Sequence, residues 1–94
     1  MDRLEIFERD NFQCVCGKSV YAYGTPQLGH VVPQRKHFLK RYGKEIIHHP
    51  MNLVSTCSLK CNASVSIGGK PLEIAELVEK IKQELQREKS KVGK

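Results

Sequence analysis

Carboxylates are nearly missing from the middle of this sequence. Between Asn11 and Leu72 the only acid is Glu45, against Lys18, Arg35, Lys36, Lys40, Arg41, Lys44, Lys60 and Lys70. The acids gather at the two ends: Asp2, Glu5, Glu8 and Asp10, then Glu73, Glu76, Glu79, Glu84 and Glu88. A central stretch cleared of carboxylates suits a polyanion, because each added acid would repel phosphate. The formal net charge of +6 points the same way, although a lysine-rich surface also serves solubility alone. Also missing is any apolar run near the roughly 20 residues that a membrane span needs, so no membrane association is expected. The N-terminus, MDRLEIFERD, is charged throughout and lacks the apolar core of a signal peptide; a cytoplasmic location is therefore expected. Cysteine is sparse as well, with Cys14, Cys16, Cys57 and Cys61 the full set. In a cytosolic protein such cysteines read as metal ligands before they read as disulfides. The other reading, structural thiols or a disulfide-bonded secreted effector, predicts no zinc in the purified protein.

What is present fits one small domain, 1–94, of α+β class. A chain of 94 residues has no room for two cores and buries a modest share of its surface, so a staple such as a metal or a partner subunit is expected. Residues 2–9 predict a short helix with Leu4 and Phe7 one turn apart and Asp2 as N-cap. Gly17 closes a turn after the first cysteines, where a metal knuckle often needs positive φ. Leu28–Val32 is a β-prone run ending at Pro33, and Arg35–Tyr42 forms a basic helical turn or two stopped by Gly43. Asn52–Thr56 is extended in character, and Cys61–Ile67 suits a short helix ended by Gly68-Gly69. Pro71 is a good first helical residue, and Ile74, Leu77, Val78, Ile81 and Leu85 recur at helical spacing, which predicts an amphipathic helix over about 71–89. Its stripe is core or partner surface, and residues 90–94 form a basic tail.

The cysteines come as two close pairs from distant parts of the chain, which can build one four-thiolate site that clips a long loop shut. Their spacings, C-x-C and C-x3-C, each miss the common C-x2-C knuckle by one residue in opposite directions. Around them stand RDNFQCVCG at 9–17, Gly29-His30-Val31-Val32-Pro33, Asn52-Leu53-Val54, and Cys57 to Cys61-Asn62. In order, spacing and residue type, these segments over residues 3–67 resemble the HNH endonuclease family. The resemblance implies a zinc-stapled, treble-clef-like ββα-metal domain flanked by N- and C-terminal helices, with DNA as partner. It implies His30 as the general base that takes a proton from the attacking water, a task suited to an imidazole with a free pKa of about 6.5. It implies Asn52 as the residue that fixes the loop carrying His30, and Asn62 as ligand of a catalytic Mg²⁺ or Mn²⁺ that stabilises the leaving 3′ oxygen. Cys14, Cys16, Cys57 and Cys61 would hold a structural zinc.

Two positions depart from the family pattern. Gly29 stands where an aspartate ligand is usual, so Asn62 would hold the metal without a carboxylate. Val65 stands where a lysine is common, leaving a phosphate contact to Lys60 or Lys70. Of the other histidines, His49, beside Pro50, is the better candidate to reach the metal, against a capping role; His48 has no assigned role and His37 reads as surface. Arg35, Lys36, Lys40, Arg41 and Lys44 would clamp the DNA backbone. A single such site cuts one strand, so double-strand cleavage would need a homodimer, with the C-terminal helix as its surface. The competing expectation is a non-catalytic zinc module that binds nucleic acid on the same scaffold, and Gly29 favours it.

Overall fold

The computed structural model describes residues 3–92, and the expected Asp2 cap lies outside them. The chain opens with α1 (Arg3–Arg9), whose Ile6 and Phe7 are buried. Asn11 and Phe12 then take left-handed backbone angles (φ 57° and 55°), and the Phe12 N–H returns to the Phe7 carbonyl at 2.8 Å. This reversal starts a tight hairpin: Gln13 pairs with Ser19, the Cys14 N–H donates to the Lys18 carbonyl at 2.7 Å, and Gly17 at φ 94° makes the turn. β1 (Gln27–His30) and β2 (Leu53–Thr56) form a two-stranded antiparallel sheet, in which His30 faces Leu53 and Gly29 faces Val54.

Between the strands lie α2 (Lys36–Tyr42), α3 (Lys44–Ile47) and a 3₁₀ turn over Pro50–Asn52. Gly43, at φ 87°, ends α2 as its sequence position suggested, and its N–H caps the Leu39 carbonyl. α3 was not foreseen, because four residues span barely one helical turn and carry no readable period. The first strand stops at His30 rather than running to Val32, yet the Val31 N–H still reaches the Asn52 carbonyl at 3.0 Å. α4 (Leu59–Ser64) begins two residues before its expected start because the Ser58 side chain accepts from the Cys61 N–H and caps it. α5 (Pro71–Val92) carries the predicted stripe and continues through residues where a basic tail was expected.

That stripe is taken up within the chain. Ile74, Val78 and Ile81 pack with Val32, Phe38, Ile46 and Ile47 into the main core, with Leu77 and Leu85 at its edge. Each isoleucine so buried stabilises the fold by roughly 2–3 kcal/mol. Elsewhere a polar clasp joins α1 to the sheet. Arg9 donates to the carbonyls of Pro50 and Leu53 at 2.9 and 2.8 Å, while Asp10 accepts from the Ser55 N–H and hydroxyl. Arg9 beside it, with help from Ser55, holds the Asp10 carboxyl below its ordinary pKa despite partial burial. Among the described residues no helix is long and apolar enough to cross a membrane.

Candidate functional site

The two cysteine pairs meet because the hairpin leans on β2. The Val15 N–H, between the first two cysteines, donates to the Ser55 carbonyl at 3.2 Å, which sets the knuckle beside the strand that runs on to Cys57. Capping by Ser58 then turns the chain into α4 and brings Cys61 back over Cys57. All four sulfurs lie within 4.8 Å of one another, with Cys16–Cys57 and Cys57–Cys61 both at 3.8 Å. A tetrahedral ion with Zn–S bonds of about 2.3 Å sets its sulfurs about 3.8 Å apart, whereas a disulfide needs about 2.05 Å. The irregular spacings therefore still deliver a thiol cluster that could hold a structural metal such as zinc.

The close packing of the sulfurs shifts three of the thiols. Burial opposes ionisation of Cys14, but hydrogen bonds from the Cys16 N–H and from the neighbouring thiols bring it down to about 7. Burial and hydrogen bonding to Cys14 and Cys16 push Cys57 up to about 12, and Cys14 raises Cys61 as well. A divalent ion bound among the four would hold every sulfur as thiolate.

On the other side of α4 lies a cleft of about 460 Å³ lined by His30, Asn62 and Arg35 together with Leu28, Pro33 and Ser66. β1 supplies His30 and α4 supplies Asn62, one residue beyond Cys61. The Asn62 amide nitrogen donates to the Leu28 carbonyl at 3.1 Å, which fixes the side chain and leaves Oδ1 without a protein partner among the described residues. Burial, and then the neighbouring His48, hold His30 below the ordinary imidazole pKa, so its neutral form dominates at neutral pH.

Asn52 is fully buried at 0 % exposure and bonds to two segments of the chain at once. Its Oδ1 accepts from the Val32 N–H at 2.7 Å, and its amide donates to the Val32 and Ile47 carbonyls at 3.0 and 2.8 Å. One side chain thus ties the segment just after His30 to the segment just before His48.

His49 is engaged within the chain at both ring nitrogens. Its Nδ1 accepts from the Met51 N–H at 3.1 Å, capping the 3₁₀ turn, and its Nε2 meets Glu88 Oε2 at 3.0 Å. With both ring nitrogens taken and only 7 % of its surface exposed, its contacts are those of the capping role. The histidine that reaches His30 is its neighbour: His48 Nδ1 lies 3.2 Å from His30 Nε2, with the rings edge to face. Both histidines line the groove that Lys44 and Glu88 share, and sequence alone did not say which of the two reaches His30.

The two departures from the family pattern touch each other. A side chain begun at Gly29 would place its Cβ 2.9 Å from Val65 Cγ2 and 3.3 Å from methyls of Thr56 and Val54. Val65 therefore fills the space that a carboxylate at position 29 would use. The expected basic clamp is dispersed: all five residues are exposed, but only Arg35 lines the cleft. Arg41 lies against Tyr42 in a groove beside Gly68 and Gly69, and Lys44 lines a third groove with Leu85 and Glu88. No known protein family, curated protein or solved structure matches the chain.

Proposed function

We propose that the protein is a metal-dependent endonuclease of the HNH type that hydrolyses DNA phosphodiester bonds and leaves a 5′ phosphate. The observation that carries this reading is the shared cleft, in which a neutral histidine from β1, an asparagine with a free Oδ1 from α4 and the arginine that precedes α2 converge. The order of β1, β2 and α4, with α4 anchored through its first turn to a thiol cluster, supports the same assignment.

On this reading Arg35 binds and orients the phosphate. His30 accepts a proton from the water that attacks phosphorus, the P–O3′ bond breaks, and the 3′ oxygen leaves to be protonated by solvent. Asn62 Oδ1 is a hard oxygen donor suited to Mg²⁺ or Mn²⁺, which when bound would neutralise charge on the phosphate and the leaving oxygen. Among the described residues no carboxylate lines the cleft, so the cation would be held by Asn62 together with phosphate and water, and its affinity without DNA would be weak. Zinc in the four-thiolate cluster would keep α4, and with it Asn62, in register.

Plasmid nicking tests the assignment. The parent protein should relax supercoiled DNA with Mg²⁺ or Mn²⁺, while His30→Ala and Asn62→Ala should lose about 10²-fold or more in rate. Equal cutting by His30→Ala overturns the mechanism. The missing carboxylate favours a second reading, a zinc module that binds nucleic acid without cutting it. Salt-sensitive DNA binding with no cleavage under any divalent ion would establish that one. Two-strand cleavage would require a dimer; because α5 buries its apolar stripe internally, the contact would fall on its charged face.

A further inference from the structure

His30 and His48 form a pair that the proposed chemistry does not by itself require. His48 ends α3, its N–H bonded to the Lys44 carbonyl at 2.9 Å, and it is exposed. The residue before it, Ile47, is fully buried and accepts a hydrogen bond from Asn52; Val32, two residues after His30, exchanges two bonds with the same amide. The buried amide therefore fixes both backbones, and the 3.2 Å contact between the rings is built into the fold rather than left to two free side chains.

A hydrogen bond between two neutral imidazoles allows two proton arrangements. In one, His48 Nδ1–H donates to His30 Nε2; both rings are then Nδ1–H tautomers, and His30 has no basic nitrogen to offer the cleft. In the other, His30 Nε2–H donates to His48 Nδ1. Both rings then adopt the Nε2–H form that free histidine side chains favour, and His30 Nδ1, which has no protein partner among the described residues, is the lone-pair nitrogen. We infer that His48 is a positioning residue that holds His30 as the Nε2–H tautomer by accepting its proton-bearing nitrogen, so that His30 Nδ1 is the base. The bond persists after His30 takes a proton from water, since the imidazolium keeps Nε2–H directed at His48. The inference rests on the nuclease reading for the word base, but the tautomer itself is a property of the folded chain.

The decisive measurement is the long-range ¹⁵N–¹H spectrum of the histidine rings in the intact protein at neutral pH, alongside nicking kinetics. In the parent, His30 should show a protonated Nε2 and an unprotonated Nδ1. In His48→Ala the two forms should mix, and kcat should fall about 10- to 100-fold with KM little changed, as for other orienting partners. His48→Asn places an amide oxygen where Nδ1 stood, so it should restore the parental spectrum and most of kcat. Because His48 is exposed, both variants should melt within about 2 °C of the parent. A protonated Nδ1 on His30 in the parent, or an unchanged spectrum or kcat in His48→Ala, overturns the inference. The predicted tautomer in a protein that never cuts DNA would instead retain the pairing and remove the nuclease reading.

Discussion

Asn52 shows how a single polar side chain can carry an interior. It satisfies three buried backbone groups that no neighbour replaces, and no buried side-chain polar atom among the described residues is left without a partner. Leaving a buried donor or acceptor unpaired costs about 1–3 kcal/mol. Asn52→Ala should therefore lower stability by roughly 3 kcal/mol, seen as a shift in the urea midpoint with little change in its slope. Asn52→Asp should be no better: it keeps the acceptor for Val32 but turns a carboxylate toward two carbonyls. A loss under about 1 kcal/mol in both would mean that the amide does not hold these segments. His30, Asn52 and Asn62 were singled out as candidates in the sequence because each sits in a short motif with fixed neighbours. His48 was not, since two adjacent histidines before a proline differ only in the direction that the end of α3 gives them.

At the scale of elements, β1 and α4 are matched by a contact that no local pattern could announce. Gly29 reads as a lost ligand and Val65 as a lost lysine until the strand and the helix are laid together; then one accounts for the other. Filling a packed site with one methyl typically costs about 1–3 kcal/mol, and contacting residues couple where distant ones add. Gly29→Ala should thus destabilise the parent by about 2 kcal/mol and much less in a Val65→Ala background, giving a coupling near 1 kcal/mol in a double-mutant cycle. Additivity within about 0.3 kcal/mol would separate the two positions. α5 was legible from its stripe, since five apolar residues at helical spacing admit few other readings. α3 was invisible: its two isoleucines are adjacent, and only the main core makes sense of them.

Across the described residues the sheet has two strands, and the main core is built largely by α2, α3 and α5. The half that holds the hairpin, β2 and α4 converges instead on the cysteines. Elemental analysis should find one zinc per chain, and removing it with a strong chelator should lower the melting temperature by roughly 15 °C or more, reversibly on zinc return. An unchanged melt with no bound metal would return the cluster to plain packing thiols. The four-cysteine cluster was legible from two pairs in one chain. Its odd spacings were resolved only by the Val15–Ser55 bond and the Ser58 cap, which supply the geometry that a regular knuckle takes from its own sequence.

Cys61 and Asn62 are consecutive residues of a six-residue helix, one turned to the thiol cluster and the other to the cleft. On the proposed reading this adjacency imposes an order of assembly. In a newly made chain whose thiols have not yet closed, only the Ser58 cap and the Asn62–Leu28 bond would hold Asn62 opposite His30, so full cutting competence would arrive together with the tightly bound ion. The chain would be harmless to nearby DNA until it is loaded, and its activity would report the supply of one metal while turning over with another.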